Sequence, residues 1–186
     1  MSDDQQVSDE ELVAAITEAA RAAFTQAREE HPDDTFYCFA LFTDGLAAYI
    51  HSTCMSEEGL VEVAGEYAAR SGTSLEQEAM ELRWMPADSP YHLLGEEQFD
   101  HVQELLDRRG DLYGMDDEDA VCAESDARFE ACFRALSRLD EEGFFGIGTD
   151  RAGVIVNVLQ GDQSDRSILE NARRLNAPAH VELLAA

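Results

Sequence analysis

Apolar side chains recur at three- and four-residue intervals from Leu12 through Ile16, Ala19, Ala20, Ala23, Phe24 and Ala27, the spacing that lines one side of a helix. Ser8 precedes this stripe and Glu11 follows three residues later, a capping box, so the first helix starts near Ser8 and ends near His31 and Pro32. The period then changes. Residues 35–43 are apolar at consecutive positions and rich in aromatics, as a central strand covered on both faces requires. Asp44-Gly45 is a turn pair, and residues 46–53 return as the hairpin partner. Ser56, Glu57 and Glu58 open a second helix by capping and by negative charge at its amino end, with Leu60, Val63, Ala64 and Tyr67 along it.

Residues 71–119 read as an irregular helical insertion. A helix through Leu75, Ala79 and Leu82 runs up to Trp84, Pro86 and Pro90 break it, and another helix carries Phe99, Val102, Leu105 and Leu106. Phe129, Ala131, Phe133, Leu136 and Leu139 then support a helix. Residues 144–149 and 154–160 read as strands joined across Asp150-Arg151-Ala152-Gly153, and Ile168, Leu169 and Ala172 form the stripe of a helix over 165–175. Helix, hairpin and helix thus occur twice, over 8–70 and over 125–176. The expectation is one α+β domain spanning 1–186 with a disordered start at 1–7. Its core is an antiparallel sheet of about four strands, built from two hairpins and packed with helices.

Charge changes the picture. Asp and Glu total 40 against 13 basic residues, all of them Arg, for a net charge of -27, while hydrophobic residues still make up 45% of the chain. The core has not been thinned to obtain the acidity, so the chain folds. A field of that sign repels nucleic-acid phosphates and anionic lipid surfaces and attracts cationic proteins. The expected partner is therefore a basic protein, and neither nucleic acid nor membrane. Two bland origins compete with selection for a partner: a genome that favours Arg over Lys, and adaptation to high salt.

Cys38, Cys54, Cys122 and Cys132 show no paired metal spacing, and the start of the chain lacks the basic-then-apolar pattern of a secretion signal. A reducing cytoplasm, with no metal and no cofactor, is the expectation. Asp116, Asp117, Glu118 and Asp119 lack the alternating ligands and central glycine of a calcium loop and read as a helix start or solvated loop. Gly143, Gly146 and Gly148 sit in a strand-like run with no helix directly after it, which reads as a bulged strand and not a phosphate loop.

No nucleophile elbow, phosphate loop or dinucleotide fingerprint is present, so no catalytic residue is assigned. The candidate binding residues are Arg83, Trp84, Tyr91 and His92, aromatics and Arg in a Pro-broken stretch with the composition of a contact hot spot. His51 near a strand end, with Asp44 across the turn, could form a His–carboxylate pair for acid/base work. The simpler reading has Trp84 and Tyr91 pinning the loop onto the sheet and His51 standing at a wet edge.

Four blocks, Phe36-Tyr37-Cys38-Phe39-Ala40-Leu41-Phe42-Thr43-Asp44, Arg83-Trp84-Met85-Pro86, Ala135-Leu136-Ser137-Arg138-Leu139-Asp140 before Phe144-Phe145-Gly146, and Ala172-Arg173-Arg174-Leu175-Asn176, carry a likeness across nearly the whole chain. In this order and spacing the chain resembles a bacterial family catalogued as a domain of unknown function, number 4303. The resemblance implies no established activity and transfers no site residue. The expected function is that of an acidic binding protein, of which an immunity-type protein neutralising a basic toxin is the most concrete form. A small enzyme or ligand binder using Trp84 to His92, and an unspecialised fold with a salt-adapted surface, are the alternatives.

Overall fold

In the computed structural model, which describes residues 7–184, the Ser8 hydroxyl accepts from Glu11 N at 3.2 Å and α1 runs over Asp9–Glu30. The expected hairpin forms between β1, Phe36–Thr43, and β2, Ile50–Ser56, paired antiparallel, but the returning strand starts at Ile50 and not at Leu46, because residues 44–49 form a longer loop than a two-residue turn. Ser56 caps α2, Glu57–Ser71, by accepting from Gly59 N at 2.9 Å. The middle of the chain holds α3, Leu75–Leu82, and α4, Asp100–Arg109, linked by single 3-10 turns. Then come α5, Glu118–Glu141, the one-turn α6, Thr149–Ala152, β3, Ile155–Gln160, α7, Asp165–Leu175, and α8, Pro178–Val181. Asp117, from the acidic cluster, caps α5 by accepting from Asp119 N and Ala120 N at 3.1 Å each. Residues 1–6 of the expected disordered start lie outside the described residues, while Val7 is buried and its carbonyl accepts from Arg109.

The α+β class holds, but the sheet differs from expectation. It has three strands in the order β2-β1-β3, with β1 and β3 parallel. The second hairpin is missing because residues 144–149 do not form a strand. Gly143, Gly146 and Gly148 sit at φ 76°, 107° and 60°, a left-handed backbone that breaks any ladder. Phe144 and Phe145 turn inward and meet the Phe24 ring at 6.5 and 6.1 Å. Their apolar run is a core plug, so the repeated helix–hairpin–helix order is not realised.

The two faces of the sheet are covered differently. Phe39, Leu41, Val156 and Val158 face a large core made with Leu12, Ile16, Phe24, Phe133 and Leu136 of α1 and α5. Each such buried side chain contributes about 1.5–3 kcal/mol. On the other face Cys38, Ala40, Met55, Ile155 and Leu159 are covered by half-buried Phe42, Leu60, Trp84 and Ile168. The outer edges of the sheet are closed by non-strand partners. Asn176 donates to Val156 O at 2.7 Å and accepts from Val156 N at 3.0 Å, pairing with β3 as a further strand would. On the β2 edge, Leu93 N donates to Ser52 O at 3.3 Å and Ser52 Oγ donates to Leu94 O at 2.7 Å.

Arg128, 1% exposed, locks the α5 side. Its guanidinium donates to Glu124 Oε1 at 2.8 Å, Gly110 O at 2.7 Å, Leu106 O at 3.0 Å and Ala47 O at 3.4 Å. One side chain therefore ties α5 to the end of α4 and to the hairpin loop. Glu124 also takes two bonds from Arg109, at 2.7 and 2.9 Å, so the buried charges form a satisfied network.

Candidate functional site

The strap of residues 83–95 holds four of the six candidate residues, and it spreads them out. Arg83 meets Glu57 with two bonds, at 2.9 and 2.6 Å, and stacks 4.3 Å over the Tyr37 ring. This pairing holds the Glu57 carboxyl below the usual carboxylate range. Trp84 is half-buried, edge-on to Tyr37 at 5.4 Å. These contacts pin the strap to the second face of the sheet, as the simpler reading of the sequence has it.

Tyr91 and His92 are adjacent in the chain and part company at the sheet edge. The strap turns here, with His92 N donating to Ser89 O at 3.0 Å, Leu94 N to Tyr91 O at 3.3 Å and Leu93 at φ 62°, and the two side chains diverge. Tyr91 enters the larger core, 5.3 Å from the Phe36 ring and 4.8 Å from His31, and its hydroxyl bonds Asp34 and Ser56. Burial, with the Asp34 carboxylate adding to it, pushes the Tyr91 hydroxyl up to about 12. His92 goes to the second face, edge-on to Phe42 at 4.9 Å. There it joins His51, whose strand position lies opposite Phe42.

His51 Nδ1 and His92 Nδ1 are both buried without a hydrogen-bond partner, and so is Oγ1 of Thr53, two residues along the same strand from His51. Burial holds both imidazoles below the usual histidine value. For His92 the neighbouring His51 adds to that, while Glu96 and Asp88 pull the two rings the other way. Asp44 does not pair with His51. Its Oδ1 accepts from Leu46 N and Ala48 N at 3.2 and 2.8 Å, and its Oδ2 from the Tyr113 hydroxyl at 2.7 Å, so it shapes the turn.

Among the described residues no group of three or more His, Cys, Asp or Glu side chains could hold a metal ion, and no helix is long and apolar enough to cross a membrane. Cys38, Cys54 and Cys132 are buried, and burial raises all three thiols, Cys38 and Cys132 to about 12.

Charge is divided along the chain more sharply than its total suggests. Residues 44–107 hold 14 Asp and Glu and only Arg70 and Arg83, whereas residues 128–175 hold eight acidic and seven basic residues. Seven large apolar side chains are exposed among the described residues, and Val61, Leu75, Met80 and Met85 all belong to the acidic stretch. They sit on and just after α2 and α3. Sequence reasoning had the hot spot next door, at Trp84, and missed these positions. Leu75 lies on the apolar stripe that the sequence predicts for α3 and Met85 lies beyond the helix, so only the tertiary structure reveals that these side chains are left exposed.

Three strands of mixed direction with helices on both faces define the molecule as a small layered α+β protein. Within that class the chain belongs to the family described as a domain of unknown function (DUF4303), whose model matches residues 16–177. No curated protein and no solved structure matches the chain. The blocks that carry the family likeness hold the fold together: Arg83 anchors the strap, Asn176 closes the β3 edge, and Asp140 pairs with Arg151 at 2.6 Å.

Proposed function

We propose that this protein is a non-enzymatic binder whose acidic side receives a basic protein, with neutralisation of a basic toxin as the most concrete form. The observation that carries this reading is the coincidence of exposed Val61, Leu75, Met80 and Met85 with the stretch in which 14 carboxylates face two arginines. Acidity gained for solubility alone has no reason to leave bare apolar side chains in its midst; a contact surface needs both, charge for steering and apolar area for affinity. Residues 128–175, with eight acidic and seven basic residues, are near neutral, so the acidity is uneven along the chain.

Affinity capture from the source cell tests this, comparing the wild type with a variant carrying Glu62→Gln, Glu66→Gln, Glu76→Gln and Glu81→Gln. A basic protein should be retained at low salt by the wild type, released as salt screens the charges, and lost by the variant. Capture of acidic proteins only, or equal capture by the variant, sinks the proposal.

A second reading has one observation behind it. His51, Thr53 and His92 bring three unpartnered polar atoms to one place on the second face of the sheet, the composition of a small polar ligand site. Titrating imidazole chemical shifts of His51 and His92 against a metabolite mixture would show it; shifts that never move remove it.

A further inference from the structure

Resting on the binding reading above, we infer that the docking face is the α2–α3 hairpin and that the partner element it fits is a basic amphipathic helix. Val61 and Gly65 lie one turn apart on α2, and a side chain at Gly65 would stand 3.9 Å from Leu75 Cδ1 of α3. Val61, 52% exposed, and Leu75, 46% exposed, therefore flank one shallow seam between the two helices, with a glycine as its floor. A seam between two antiparallel helices is the shape into which a third helix lays an apolar ridge.

Beside that seam, Glu58, Glu62 and Glu66 recur every four residues along α2, about 6 Å apart along the helix axis. Glu62 is exposed. Glu58 accepts from the Thr35 backbone and hydroxyl, and Glu66 lies 3.5 Å from Arg70, but each keeps its charge at the surface. α3 adds Glu76 and Glu81, five positions apart and so on different sides of that helix. The seam is thus a short apolar strip with a row of carboxylates along its α2 side. Its complement is a helix with a narrow apolar stripe flanked by Arg or Lys at four-residue spacing. An extended segment would place its basic side chains about 6.8 Å apart on alternate positions and present no apolar ridge of matching width.

The test uses the full chain and two synthetic peptides of one composition, Leu, Lys and Ala only. In one the order makes an amphipathic helix; in the other it is scrambled. Binding is followed by fluorescence anisotropy at moderate salt. The helical peptide should bind about tenfold tighter than the scrambled one. Val61→Asn with Leu75→Asn should abolish that preference, while Ile147→Asn, which removes an 80% exposed apolar side chain from the near-neutral stretch 128–175, should leave it intact. Circular dichroism confirms that the variants, all at exposed positions, keep their fold. Equal binding of the two peptides, or a preference that survives the paired substitution, overturns the helix-docking inference and leaves the acidic-binder reading standing. Failure of both peptides to bind even at low salt overturns both.

Discussion

The protein treats buried polar groups in two opposite ways on the two sides of its sheet. On the α5 side, Arg128 is enclosed and its guanidinium donates to four acceptors, Glu124 and the carbonyls of Leu106, Gly110 and Ala47. On the other side, His51 Nδ1, His92 Nδ1 and Thr53 Oγ1 are enclosed with nothing to bond. A satisfied buried network adds rigidity, while an orphaned group subtracts about 1–3 kcal/mol. The first region is built for stability. The second gives some up, and it lies on the same face as the half-buried strap and α2, where the binding surface is proposed.

Replacing Arg128 by Met breaks this contrast most severely. It leaves Glu124 with one cation and takes a donor from the carbonyls of Ala47, Gly110 and Leu106, the last of which keeps the Gly110 N–H, and stability should fall by about 3–5 kcal/mol, read as a lower denaturant midpoint with the slope unchanged. A loss under about 1 kcal/mol would mean that the network is incidental. Asn176→Leu comes next. It strips Val156 N and O of their partners and should cost about 2–4 kcal/mol, with faster hydrogen exchange at the Val156 amide as its local sign.

Thr53→Val should go the other way. It removes a buried hydroxyl that bonds nothing and keeps the shape, so the melting temperature should hold or rise, by up to about 1 kcal/mol of stability. A clear loss would mean that Thr53 has a partner in solution. The smallest effect is the pH dependence of the histidines. Both are held below the ordinary value near 6.5, so the fold prefers them neutral. Their contribution is complete above about pH 6.5 and is lost as pH falls below it, because the unfolded chain then binds protons that the fold resists. Thermal melts of the wild type between about pH 7 and 5 should show that slope. A His51→Leu, His92→Leu variant should flatten it in this window, above the range where the paired carboxylates titrate.

Much of the local architecture was legible beforehand, for reasons that particular residues make plain. Ser8 and Ser56 cap the helices that their spacing announced, and Asp44 opens the hairpin loop, which runs over 44–49 and not over two residues. Caps and turns are short-range bonds, so the residues that make them stand within four positions of one another. The candidate site was only partly legible. His51 and His92 do meet, at Phe42, but Tyr91 and Asp44 belong to other structures, the Asp34–Ser56 cluster and the hairpin turn.

By itself the sequence determined the α+β class, the first hairpin, the helices and the excess of carboxylates. Only the tertiary structure decided that Phe144 and Phe145 plug the core, that β3 joins β1 in parallel, and that Val61, Leu75 and Met80 stand exposed among the carboxylates of α2 and α3. The physical reason is range. Periodicity and capping report the energy of neighbours along the chain, whereas strand partnership and surface composition depend on which distant segments compete to cover the same apolar area.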